Sequence, residues 1–139
     1  MKDSSVLIVE DDLGLMTVLT RVLKKVQPNV QLSWAGSVTE GIEVIQRCEQ
    51  GDLGDFDLIL SDLLLPNGEL GTSLWHYCKH RQPETPFAVM SCIDPTSYFR
   101  MFRGGEEPPP FLPKPFRVED CQELFSFLLL GHGTGAFGG

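Results

Sequence analysis

At 139 residues the chain is one domain long, enough to bury a single core. Its 11 Lys and Arg against 19 Asp and Glu leave a formal charge of −8, which excludes a sequence-independent nucleic-acid binder, since phosphate attraction requires a basic face. Hydrophobic residues at 42% and charged residues at 22% are globular proportions; no apolar run is long enough to span a bilayer and no leader-like segment opens the chain, so a cytoplasmic protein is expected.

In chain order, Val6-Leu7-Ile8-Val9 reads as a first strand, too short for a helix and apolar on both faces. Leu13, Met16, Leu19, Leu23 and Val26 then recur three or four apart, the period of a helix with one buried face, and Pro28 stops it. Residues 30–34 alternate as an edge strand does. Ser37 and Glu40 have capping-box spacing and open a second helix that turns Ile42, Ile45 and Cys48 inward. Residues 56–60 form the third apolar run, Leu74, Tyr77 and Cys78 mark a third helix, and residues 87–90 form the fourth run. Tyr98, Met101 and Phe102, after Pro95, mark a short fourth helix before the brief apolar pair Phe111-Leu112. Cys121, Leu124, Phe125, Leu128 and Leu129 are the best-patterned helix. This βαβαβαβαβα order implies an α/β fold with an open parallel sheet and right-handed crossovers. Two segments break the rhythm. Residues 104–115 hold five of the ten prolines and are expected to run as a stiff extended loop. Residues 131–139 hold five glycines and are expected to be a flexible tail after a domain of residues 1–130.

In open parallel sheets, sites form at the carboxyl ends of the strands. There stand Glu10-Asp11-Asp12 after the first run, Ser61-Asp62 after the third, Ser91-Cys92 after the fourth and Lys114-Pro115 after the fifth. Singly each has a plain reading: Asp12 as a helix N-cap, a Ser as a turn residue, a Lys before Pro as a solvated charge. Their coincidence at four strand ends is what points to chemistry. Clustered carboxylates repel unless a cation sits among them, and oxygen ligands with room for water suit Mg²⁺. Zinc is disfavoured, because no His lies at these ends and Cys92 stands alone. A carboxylate beside Mg²⁺, a lysine and a small hydroxyl are the minimum kit for receiving a phosphoryl group on the carboxylate itself.

Leu7-Ile8-Val9-Glu10-Asp11-Asp12, Asp62-Leu63-Leu64-Leu65-Pro66, Ser91 and Lys114-Pro115-Phe116, in this order and near these spacings, resemble the receiver domain of two-component response regulators over residues 4–130. The resemblance implies a flavodoxin-like, doubly wound five-stranded sheet of order 2-1-3-4-5. It implies Asp62 as phosphoacceptor, Asp11 as a direct Mg²⁺ ligand, Glu10 as the acid that holds the metal through water, and Leu64 as a carbonyl donor to it. Ser91 matches the switch hydroxyl, Lys114 the lysine that pairs with the phosphoryl group, and Phe111 the aromatic rotamer switch. A sensor histidine kinase or histidine phosphotransfer protein is the implied donor. The implied output is a protein partner on the face of the fourth helix, fifth strand and fifth helix, with neither nucleic acid nor membrane involved. Because only residues 131–139 follow the last helix, the chain is expected to be a stand-alone receiver and no enzyme beyond its own phosphoryl transfer and autodephosphorylation. The alternatives are a receiver excised from a larger protein, and a receiver-fold interaction module that signals without phosphorylation. A Mg²⁺-dependent phosphatase is disfavoured, because Leu64 stands where it would need a second aspartate.

Departures accompany the matches. Leu70 stands eight residues after Asp62, where receivers commonly have glycine, so the loop before the third helix is expected to be built differently. Gly105-Glu106-Glu107-Pro108-Pro109-Pro110 replaces the usual small residues before the last strand and puts the shape of the output face in question. The Lys114–Pro115 bond is expected to be cis. His76 and His80, four apart without a third ligand, read as a solvated pair, and Phe127 and Leu130 as isolated exposed hydrophobes. Of Tyr98, Phe99, Met101 and Phe102, with Arg100 and Arg103, some are expected in the core and the rest in a docking patch. Cys48, Cys78, Cys92 and Cys121 form no CxxC pair and read as reduced thiols.

Overall fold

Strands and helices alternate throughout the computed structural model, which describes residues 3–51, 55–102 and 104–131. The elements are β1 (Ser5–Val9), α1 (Leu13–Val26), β2 (Gln31–Ala35), α2 (Val38–Glu49), β3 (Leu58–Asp62), a 3₁₀ turn (Pro66–Gly68), α3 (Gly71–Arg81), β4 (Phe87–Ser91), α4 (Pro95–Arg100), β5 (Phe111–Pro113) and α5 (Val118–Leu130). All five strands pair in parallel in the order β2-β1-β3-β4-β5, the doubly wound order that the resemblance implies.

Each strand sorts its side chains with a period of two. Leu7, Val9, Ile59 and Val89 enter one core layer with Ile45, Leu74, Trp75 and Tyr98 of α2, α3 and α4. Val6, Ile8, Leu58, Leu60, Ala88 and Met90 enter the other, against Leu19, Val22 and Leu23 of α1 and Cys121, Leu124 and Phe125 of α5. The middle strands are covered on both faces, which is why they read as unbroken apolar runs. Each fully buried leucine among them, such as Leu7 or Leu60, contributes about 1.5–3 kcal/mol relative to exposure. The expected caps are in place: Asp12 Oδ1 accepts from the Leu15 amide at 3.1 Å, and Ser37 Oγ from the Glu40 amide at 3.1 Å.

Several elements differ from the sequence expectations. β2 runs one residue later than expected, and β3 begins two residues after its apolar run does. Asp57 Oδ2 accepts from the Ser5 amide at 2.8 Å at the edge of the sheet, leaving Phe56 in the core ahead of the strand. Ser61 and Asp62 are therefore the last two residues of β3 and not the first of a loop. α4 spans six residues and ends before Met101 and Phe102. The proline-rich segment that follows it is strapped down: Tyr98 donates its hydroxyl to the Pro109 carbonyl at 2.9 Å, and Glu106 Oε2 lies 3.0 Å from His76 Nε2 and 3.5 Å from Lys79 Nζ. His76, read as solvated, is thus half exposed yet tethered.

None of the four cysteines is joined in a disulfide; Cys92 is exposed and the others are buried. Burial pushes the thiols of Cys78 and Cys121 up to about 12, so neither is a nucleophile at neutral pH. No helix among the described residues is long and apolar enough to cross a membrane. Gly131, with φ 67°, closes α5 in the left-handed conformation that glycine adopts freely; the remainder of the expected tail and Arg103 lie outside the described residues.

Candidate functional site

The strand order reverses at β1, and the carboxyl ends of β1 and β3 border the crevice that this leaves. Glu10 directly follows β1, its amide fixed to the Ala35 carbonyl at 2.9 Å. Asp62 closes β3, in register with Met90 of β4. Ser91 closes β4, and its carbonyl accepts from the Lys114 amide at 2.8 Å just past β5. The Lys114–Pro115 bond is cis, as expected.

The side chains converge. Lys114 Nζ lies 3.0 Å from Asp62 Oδ2 and 3.5 Å from Glu10 Oε1. One carboxylate oxygen from each of Glu10, Asp11 and Asp62 falls within 4.8 Å of the others. Asp12 is not among them, because its carboxylate caps α1. Glu10 is only 1% exposed, and its Oε2 is buried without a hydrogen-bond partner. Burial above all, then the hydrogen bond and charge of Asp62, push the Glu10 carboxyl up from 4.5 to about 7, against the pull of Lys114. Burial alone would lower Lys114, but its hydrogen bond to Asp62 and the charges of Asp62 and Glu10 outweigh this and hold the ammonium above its usual value. One cation thus faces three carboxylates, and one buried acceptor is left over. A hard divalent cation with oxygen ligands fits both facts.

The β3–α3 loop forms the rim. Leu65 donates its amide to the Glu69 carbonyl at 3.0 Å and Gly71 to the Leu63 carbonyl at 2.7 Å, bracketing an antiparallel bridge between Leu64 and Leu70. These bonds leave the amide and carbonyl of Leu64 outside the hairpin, and the amide faces Asp62 Oδ1 at 3.4 Å. Leu70 is the residue that precedes α3 and pairs with Leu64 in this hairpin. A glycine stands next, at Gly71, where a Cβ would run into the Asp62 carbonyl oxygen and stand 2.9 Å from Ser61 Oγ. The adjacent glycine in the sequence was the signal for it.

Ser91 is 1% exposed, and its Oγ accepts from the Ile93 amide at 3.2 Å. Phe111 is half-buried and stacks on Tyr98, with ring centroids 4.2 Å apart and planes 13° from parallel. Tyr98 is fully buried, so the residue that braces the expected aromatic switch comes from α4. Its sequence position showed an aromatic cluster but not that contact. Of the expected docking patch, Phe99 and Met101 are exposed at 52% and 40%.

No protein-family model matches the chain, and no curated protein does. Solved structures do. The chemotaxis response regulator CheY4 of Vibrio cholerae is 19% identical, with a TM-score of 0.73 over 92% of this chain and 100% of that one. The non-phosphorylated HemR receiver domain from Leptospira biflexa is 26% identical, with a TM-score of 0.72 over 91% of this chain and 94% of that one. The signal receiver domain of an HD domain-containing protein from Pseudomonas fluorescens is 16% identical, with a TM-score of 0.76 over 97% of this chain and 93% of that one. The likeness lies in the path of the backbone: this chain has the five-stranded, flavodoxin-like fold of response-regulator receiver domains.

Proposed function

We propose that this chain is a phosphoacceptor receiver, in which Asp62 takes a phosphoryl group from a phosphohistidine of a sensor kinase or phosphotransfer protein in the cytoplasm. The observation that carries the reading is the pairing of Asp62 Oδ2 with Lys114 Nζ at 3.0 Å, beside Glu10 and Asp11. A salt bridge made only for stability has no use for two further acids, one of them buried with an unpartnered oxygen. The carboxylates of Glu10, Asp11 and Asp62, with the Leu64 carbonyl, would hold Mg²⁺. Bound there, it supplies the positive charge that lets an anionic donor approach an anionic nucleophile.

The transfer is an in-line displacement. An Asp62 carboxylate oxygen forms a bond to phosphorus as the phosphorus–nitrogen bond of the donor breaks, and the electron pair leaves with the imidazole, which retains or gains its proton from solvent. Lys114, already on Asp62, follows the charge onto the phosphoryl oxygens, and the Ser91 hydroxyl donates to another. When Ser91 gives up the Ile93 amide for the phosphoryl group, Phe111 follows into the space vacated and its stacking on Tyr98 changes. The face of α4, β5 and α5 then changes for a protein partner. Residues 1–130 are the receiver unit in this reading, with output through protein contact.

The test is incubation with a small phosphodonor and Mg²⁺ followed by intact mass. One added phosphoryl group on the parent and none on Asp62→Asn is expected. An unlabelled parent, or equal labelling of the variant, sinks the assignment.

A further inference from the structure

The hairpin between β3 and α3 carries the Leu64 carbonyl, and its own bonds close it on itself: Leu65 to Glu69 and Gly71 to Leu63. Its tip is a tight turn in which Asn67 and Gly68 take φ of 66° and 72°, and the Glu69 amide donates to the Pro66 carbonyl at 3.4 Å. Bonds of this kind fix the shape of a hairpin and not its position against the rest of the fold. Leu65 holds one side by packing into the core layer of α2 and α3. Glu69 holds the other, because its Oε1 accepts from the Val38 amide at 3.3 Å, across 31 residues of sequence.

Each end of that bond needs the other. Val38 is buried and is the first residue of α2, and the first amides of a helix have no carbonyl one turn back to bond. The two local caps are spent elsewhere: Ser37 Oγ accepts from the Glu40 amide, and Glu40 Oε2 from the Gly36 amide at 3.2 Å. Glu69 in turn makes no ion pair among the described residues. A carboxylate without a cation is stabilised where a helix N-terminus gathers partial positive charge. We propose that Glu69 is a positioning residue for the acidic pocket: its carboxylate anchors the β3–α3 hairpin to the first amide of α2 and so holds the Leu64 carbonyl where Mg²⁺ would take it. The proposal rests on reading Glu10, Asp11, Asp62 and the Leu64 carbonyl as a Mg²⁺ site. Losing the anchor removes no ligand but loosens one, so affinity falls while the number of ions bound stays the same.

Calorimetric Mg²⁺ titration of the parent and its variants is the test. Glu69→Ala removes the acceptor and should weaken binding about tenfold, the lower end of what outer partners of metal ligands contribute. Glu69→Gln keeps an oxygen for the Val38 amide and drops the charge, so it should bind closer to the parent than to Glu69→Ala. Val38→Pro removes the donor instead. Proline suits the first position of a helix, and Ser37 ahead of it is already extended, as a residue before proline must be. Val38→Pro should weaken binding as Glu69→Ala does, and the double variant should be no weaker than either, because the same bond is lost only once. Circular dichroism checks that each variant folds, and the two Glu69 variants decide alone if Val38→Pro does not. A parent that binds Mg²⁺ beside a Glu69→Ala that binds equally well overturns the anchor. Glu69→Gln as weak as Glu69→Ala also overturns it, by assigning the effect to charge and not to the hydrogen bond, as do losses that add in the double variant. A parent that binds no Mg²⁺ overturns the reading of the pocket itself, and the anchor with it.

Discussion

Replacing Glu10 by glutamine should stabilise the metal-free protein above neutral pH while weakening its hold on Mg²⁺. The Glu10 carboxyl is 1% exposed and is raised from 4.5 to about 7, so ionising it in the folded state is unfavourable. A carboxyl raised on folding contributes stability that is complete below its unfolded value and is lost as pH climbs through its folded value. The gap of roughly 2.5 units, at about 1.4 kcal/mol per unit, amounts to about 3 kcal/mol lost between about pH 4.5 and pH 7. Any relaxation that lets water reach the buried carboxylate reduces the penalty, so this is the upper end of the effect. Glutamine keeps the shape and carries no charge at any of these pH values. Urea unfolding of parent and Glu10→Gln in a chelator should therefore give curves that nearly coincide at low pH and separate, in favour of the variant, as pH rises to about 8. Added Mg²⁺ should close or reverse the gap, since only the parent has all three carboxylates to bind it. Parallel pH dependences in the chelator would refute the reasoning, because Glu10 would then not be the strained acid of the pocket.

Gly71→Ala should lower stability by about 1–3 kcal/mol in denaturant unfolding, because the added Cβ runs into the Asp62 carbonyl; an unchanged midpoint would show that the β3–α3 loop moves aside at no cost. Asp11→Ala should weaken Mg²⁺ binding more than Glu10→Ala in a metal titration, since a direct ligand matters more than one acting through water; the reverse ranking would exchange their roles. The phosphorylated form should be long-lived. Leu64, 51% exposed beside Asp62, and half-buried Ile93 offer an attacking water no hydrogen bond, and a tenfold change in lifetime needs only about 1.4 kcal/mol. Leu64→Asn and Ile93→Glu should both speed decay, and if neither does, water access at these positions does not set the lifetime.

The strands and the pocket were legible because both are written locally. A run such as Val6 to Val9 can only be a strand buried on both faces, and the residue after it lands at the sheet's carboxyl edge whatever the rest of the chain does. Glu10, Asp11, Asp62 and Lys114 therefore came together as read. Contacts between distant segments left weaker marks. That Asp57 delays β3 depends on the Ser5 amide, 52 residues away, and that His76 is tethered depends on Glu106, 30 residues away. Tyr98 was visible as an aromatic in a short helix, but its stacking on Phe111 depends on where the proline-rich segment runs.

The central claim is that the carboxylate of Asp62, and no other acid of the pocket, forms the acyl phosphate. Borohydride reduction decides it, because reductive cleavage turns a phosphorylated aspartate into homoserine and marks the residue itself. After incubation with a small phosphodonor and Mg²⁺, peptide sequencing by mass should find homoserine at position 62 and aspartate intact at positions 11 and 12. Homoserine at position 11, or an unmodified Asp62 in protein that has gained a phosphoryl group, would contradict the account.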